Sequence, residues 1–267
     1  MRVRRSRSIN TPLKSSLPVD GRGRKPARGY TASVVNNAPR YQWLIFDADG
    51  TLFDFHLGET TALQKTTGKH GITYTQHLHD AYSAISAVLW KQFELGEISL
   101  VHLRVERFER LFGELRIDLE PDAFNLDFME ALGQQRQLLP GAEAVVRDLS
   151  SRFRLLLATN GIAVVQRPRF SGSSIRRYFE DVVISDEIGI AKPQIGFMEE
   201  AFSRMGEPRR SEVLMIGDSL SSDIAGGANF GIDTCWFNPS GLALDGSPKP
   251  TYEIADLTEI EGIVTGS

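Results

Sequence analysis

The chain of 267 residues is 41% hydrophobic and 24% charged, an ordinary globular composition that can bury a sizeable core. It holds no run of about eighteen apolar residues, which excludes a bilayer-spanning helix and points to a soluble protein. Its single cysteine, Cys235, excludes an internal disulfide and suits a reducing cytoplasm. Charge is split along the chain: ten Lys and Arg against one acid, Asp20, give residues 1–40 a net of +9, so a chain of net −4 carries −13 on the rest.

In chain order the basic part comes first. Arg2, Arg4, Arg5, Arg7 and the run Arg22-Gly23-Arg24-Lys25-Pro26 stand among few large apolar residues, so burial cannot offset the entropy of ordering them. A disordered basic leader is predicted over 1–40. It lacks the apolar stretch of a secretory signal, and the favoured reading is an unstructured leader with no role. An organelle-targeting peptide or a weak arm for nucleic acid or an anionic surface are the alternatives.

Short apolar runs then recur at Trp43–Phe46, Leu155–Ala158, Val182–Ile184, Val213–Ile216 and Cys235–Phe237, each ending in a polar or glycine turn. Helix-length segments separate the later ones, which predicts an α/β fold: a parallel sheet covered by helices on both faces, with its ligand at the carboxyl ends of the strands. Between Thr51 and Thr159 lie 107 residues, far more than one crossover helix needs. Alanines and leucines crowd Ala81–Leu89, and apolar residues recur at Leu100, Leu103, Phe108, Leu111, Phe112 and Leu115. An all-helical insertion is therefore predicted over 58–137, leaving 41–57 and 138–267 as the core. Leu138-Leu139-Pro140-Gly141 turns the chain back into a helix over Ala142–Leu149.

Four separated signals have the residue types of a phosphoryl-transfer site. The first strand delivers Asp47 and Asp49 into a turn at Gly50; two neighbouring acids repel unless a cation holds them, which suggests Mg²⁺ beside a phosphate. Asp47 is the candidate nucleophile, and Asp49 the acid that protonates the leaving oxygen and then deprotonates water. The second strand ends in Thr159-Asn160-Gly161, where the Thr159 hydroxyl and the following backbone N–H groups could hold a phosphoryl oxygen, or simply cap a helix. Lys192-Pro193 offers a fixed cation, although a surface lysine would read the same way. Gly217-Asp218 and Asp223 one turn later complete the set: Asp218 as a metal ligand with Asp47 and the carbonyl of Asp49, Asp223 supporting them, or Asp218 as a helix cap.

The ordered set Asp-x-Asp-Gly-Thr, Thr-Asn-Gly, Lys-Pro and Gly-Asp-x4-Asp resembles the haloacid dehalogenase (HAD) superfamily. The resemblance implies a Rossmann-like core, an inserted helical cap of the C1 type, Mg²⁺ as cofactor and the roles above. Dehalogenases of the superfamily typically lack an acid at the position of Asp49, so the resemblance implies a phosphatase; phosphomutases keep that acid and remain an alternative. Surrounding residues, including Thr51-Leu52-Phe53, Leu89-Trp90, Arg107-Phe108, Leu139-Pro140-Gly141-Ala142, Tyr178-Phe179 and Thr234-Cys235-Trp236, are similar to pyrimidine 5'-nucleotidases of the YjjG type. Hydrolysis of a pyrimidine nucleoside 5'-monophosphate is the implied activity, with phosphoglycolate or a sugar phosphate as alternative substrates and a non-enzymatic phosphate-accepting module as the remaining class.

Specificity is expected in the insertion. A 100° step per residue puts Arg104 and Arg107 among the leucines of a helix over Leu100–Leu115, so Arg107 either reads a base or sugar or pairs inside the insertion. Trp90 and Phe53 could stack on a base or pack internally. Pro168 should start or break a helix, Cys235 should be buried, and the five histidines form no metal set. The expected partners are a small phosphate monoester, with no membrane and no nucleic acid required, for a cytoplasmic monomer or homodimer.

Overall fold

Trp43–Phe46 forms strand β1 at the centre of a parallel sheet, because its four side chains are all apolar and alternate between two buried faces. The computed structural model describes residues 40–244 and 248–266, so the leader expectation, but for Arg40, lies outside the described residues. The other strands are β2 (Arg154–Thr159), β3 (Asp181–Ile184), β4 (Val213–Gly217), β5 (Asp233–Phe237) and β6 (Tyr252–Ile254), in the spatial order β3-β2-β1-β4-β5-β6. All five pairings are parallel; Ile45 registers with Leu156 on one side and Met215 on the other. Every predicted apolar run falls within a strand. The short edge strand β6 carries an exposed Glu253 and gave no such run.

After β1 the insertion contributes four helices: α1 (Phe55–Lys69), α2 (Gln76–Glu94), α3 (Leu100–Leu115) and α4 (Pro121–Gly133). Asp54, Thr75 and Ser99 start the first three by accepting hydrogen bonds from the N–H groups of Leu57, Leu78 and His102, and Pro121 opens the fourth where no N–H is needed. Arg116 ends α3 in the left-handed region at φ 55°. These helices bury their own aromatic cluster, including Tyr82, Phe108, Phe124 and Phe128, separate from the sheet's two cores.

After the insertion come α5 (Ala142–Ser150), α6 (Ala163–Ser171), α7 (Ser185–Ile188), α8 (Ile195–Met205), α9 (Ala225–Phe230) and α10 (Ile260–Thr265). Leu44 and Phe46 pack under Val146 and Leu149 of α5 and Ile260 of α10; Trp43 and Ile45 pack under Phe197 and Phe202 of α8 and Phe230 of α9. Helix α6 runs through Pro168 instead of starting or breaking there. Gly133 of α4 lies against that point, where an added Cβ would sit 3.2 Å from the Pro168 ring and 3.3 Å from the Val164 carbonyl oxygen. Packing of α4 on α6 holds the helix through the residue that removes one of its hydrogen bonds. No helix among the described residues is long and apolar enough to cross a membrane.

Candidate active site

Strand order reverses between β1 and β4, which opens a crevice at their carboxyl ends. Asp47 leaves β1 there, and Asp218 leaves β4. Glycines at both turns make room for the acids. Gly50 has φ +83°, and a Cβ on it would lie 2.4 Å from Asp218 Oδ2; a Cβ on Gly217 would lie 2.2 Å from Asp223 Oδ2.

Lys192, in the loop between α7 and α8, is 1% exposed and donates to Asp47 Oδ1 at 2.7 Å, Asp223 Oδ1 at 2.6 Å and the Ala158 carbonyl at 2.7 Å. All three donors of the ammonium are therefore used. Burial alone would lower the pKa of Lys192, but the Asp223 and Asp47 carboxylates outweigh it and hold the ammonium charged well above neutrality. Burial raises that of Asp47, which the nearby Asp223 and Asp218 reinforce against the pull of Lys192. Asp218 opens onto the cavity, yet dense protein around its carboxylate and the charge of Asp223 push its pKa up to about 7. Thr51 donates to its Oδ1 at 3.3 Å, and Trp236 Nε1 fixes its backbone carbonyl at 2.8 Å.

Asp47, Asp218 and Asp223 bring carboxylate oxygens within 4.8 Å of one another. Three carboxyl groups share one ammonium, and hard oxygen donors at that spacing suit a small divalent cation. The acid cluster fits Mg²⁺ on donor chemistry.

The remaining predicted site residues divide. Thr159 ends β2, is buried, and lines the cavity. Asn160 bonds both the N–H and the carbonyl of Lys192 at 2.8 Å, so its side chain fixes the lysine loop. The Gly161 N–H, expected as a phosphate donor, instead donates to Ser185 Oγ at 3.1 Å. Asp49 stands apart from Lys192: its carboxylate accepts from Arg169 Nη1 at 2.6 Å and Gln166 Nε2 at 2.5 Å. Neither partner was anticipated. They sit three residues apart on one face of α6, the only sequence signal they carry.

A cavity of about 220 Å³ runs from these acids into the helical insertion, lined there by Phe55, Trp90, Glu94 and Arg107. Arg107 is buried and donates to Tyr82 Oη at 3.4 Å and Asn125 Oδ1 at 3.1 Å, while Tyr82 donates to Glu59 Oε1 at 3.0 Å. One polar residue from each of the four helices thus meets inside the aromatic cluster, so internal pairing of Arg107 holds together with its place on the cavity wall. Phe53 does not reach the cavity; it lies beneath the Arg169 guanidinium, 4.8 Å from ring centre to Cζ. Phe55, two residues on, takes that wall. Glu94 accepts from Ser221 Oγ at 2.9 Å, a link from α2 to the turn carrying Asp218 and Asp223. Cys235 is buried as expected, and burial pushes its thiol up to about 12. Among the described residues the three aspartates form the one cluster with metal-ligand spacing, and no histidine joins it.

The family model for haloacid dehalogenase-like hydrolases matches residues 41–231. The chain belongs to that family. This HAD-like hydrolase is 35% identical over 231 residues to the pyrimidine 5'-nucleotidase YjjG of Escherichia coli, covering 84% of this chain and 98% of that one. It is 37% identical over 221 residues to the pyrimidine 5'-nucleotidase PynA of Streptococcus pneumoniae, covering 82% and 93%. The crystal structure of the HAD-hydrolase YfnB from Bacillus subtilis superposes with a TM-score of 0.81 at 32% identity, over 84% of this chain and 99% of that one. Family and relatives together make the chain a phosphoric monoester hydrolase of HAD type.

Proposed function

We propose that this enzyme hydrolyses pyrimidine nucleoside 5'-monophosphates with Mg²⁺, through a phosphoryl group carried on Asp47. The observation that carries the reading is the crevice itself. A lysine-held nucleophilic carboxylate stands beside two further acids and opens into a cavity walled by Phe55, Trp90 and Arg107. The two similar nucleotidases support the substrate, and the YfnB structure, described as bound to magnesium, supports the metal.

The Thr159 hydroxyl takes a phosphate oxygen, while Lys192, its three protons held by Asp47, Asp223 and the Ala158 carbonyl, fixes Asp47 in line with the phosphorus and sets a positive charge beside it. The Asp47 oxygen–phosphorus bond forms as the ester oxygen–phosphorus bond breaks, and Asp49 gives its proton to the departing 5'-oxygen. Asp49 then takes a proton from water, which displaces phosphate and frees Asp47. Asp47, Asp218 and the Asp49 carbonyl would hold Mg²⁺, with Asp223 behind them; the ion supplies positive charge to the phosphoryl oxygens. Residues 58–137 serve as a cap over 41–57 and 138–267, with Phe55 and Trp90 offering faces for a base and Arg107 a donor for its carbonyl groups. We place the enzyme in the cytoplasm.

The test is phosphate release from a panel of UMP, dTMP, AMP, phosphoglycolate and sugar phosphates, with Mg²⁺ and with a chelator. UMP and dTMP should lead and the chelator should abolish turnover, while Asp47→Asn should lower kcat by about 10⁴-fold or more with the fold intact. Preference for phosphoglycolate would reject the nucleotide assignment, and turnover of no ester would reject the whole reading.

A further inference from the structure

Asp47, Asp49, Asp218 and Asp223 all line the cavity, but the Asp49 carboxylate is held by partners of its own, away from Lys192. Arg169, 1% exposed, gives Nη1 to Asp49 Oδ1 at 2.6 Å and Nε to the Gln135 carbonyl at 3.0 Å. Its guanidinium lies over Phe53 and also reaches Gln166 Oε1 at 3.4 Å. Gln166, itself buried, holds the second oxygen of Asp49 at 2.5 Å. Gln135 belongs to the segment by which the chain leaves the helical insertion. There Gln137 donates to Gln135 Oε1 at 3.1 Å, and the Gln137 carbonyl accepts from the N–H of Asp54, where the chain enters it.

We propose that Arg169 and Gln166 are positioning residues for Asp49, and that Arg169 ties the orientation of this carboxylate to the crossing between insertion and core. The inference rests on the reading of Asp49 as the acid and base of phosphate ester hydrolysis. Two donors from successive turns of one helix grip both oxygens, which fixes the plane of the carboxylate as well as its place. Arg169 cannot follow Asp49 far, because an aromatic face and a backbone carbonyl hold the same guanidinium. Rotating the insertion about its two connections moves Gln135, and with it the seat of Asp49, relative to Asp47. The acid is thereby aimed at the leaving oxygen in one arrangement of the insertion and drawn from it in another.

The experiment compares first-turnover release from two esters with Mg²⁺ present. UMP leaves as an alkoxide that needs a proton, and p-nitrophenyl phosphate leaves as a phenolate that does not. Arg169→Met should slow first-turnover release from UMP by about 10²-fold and leave that from p-nitrophenyl phosphate within about three-fold, and Gln166→Leu should show the same pattern more weakly. In an Asp49→Asn background Arg169→Met should add no further loss. Equal losses on both esters in both variants, or an undiminished effect of Arg169→Met without Asp49, would overturn the proposal. A wild-type enzyme that turned over neither ester would instead remove the reading it rests on.

Discussion

Lys192 and Glu59 show how burial and charge trade off at single residues. A buried ammonium costs several kcal/mol of lost hydration unless every proton finds an acceptor, and Lys192 has three. Glu59 is different: it is buried in the helical insertion, and burial raises its pKa despite the Tyr82 hydroxyl and the charge of Arg107. A raised folded-state pKa means that the folded protein holds this proton more tightly than the unfolded chain. The associated stability is therefore full below the ordinary value of 4.5 and is lost as pH rises through the folded value. Thermal melts should show Glu59→Gln losing less stability than wild type as pH is raised above 4.5; parallel curves would place Glu59 in its charged form throughout. At this scale the four motifs were legible, since strand ends, glycines and acids are local in sequence. Gln166 and Arg169 were not, because their meaning depends on Asp49 more than a hundred residues away. The acceptor of the Gly161 N–H, Ser185, has no local signature either, because it arrives from another strand end.

At the scale of elements, the strands were legible wherever both faces of the sheet are covered, since such strands read as continuous apolar runs. Strand β6 buries only Ile254 of its three residues and so carries no such run. Helix α6 survives Pro168 through its contact with Gly133, which a rule about isolated helices cannot contain. Across the crevice, Glu94 near the end of α2 bonds Ser221 in the turn Leu220–Ile224. Such a bond is worth about 1 kcal/mol, a roughly five-fold bias toward the observed arrangement. Hydrogen exchange in the last turn of α2 should rise by about that factor in Glu94→Ala, with KM for the nucleotide rising in step. Unchanged exchange would assign the contact no part in holding the insertion over the crevice.

For the whole molecule, the sheet and the four-helix insertion each bury their own core, and the acids line a cavity between the two. The long gap between the first two motifs, with the alanine and leucine pattern inside it, made a helical insertion legible; which surfaces of the insertion face the acids was not, because helix periodicity marks a buried face without naming what it is buried against. The most direct test of the central claim is to trap the phosphoryl group. Asp49→Asn retains the nucleophile but lacks the base for the second step, so it should accumulate the covalent adduct from p-nitrophenyl phosphate and Mg²⁺. Acid quench, borohydride reduction and peptide mass spectrometry should then find homoserine at position 47. Unmodified Asp47 after phenolate release, or the adduct on another residue, would contradict the account.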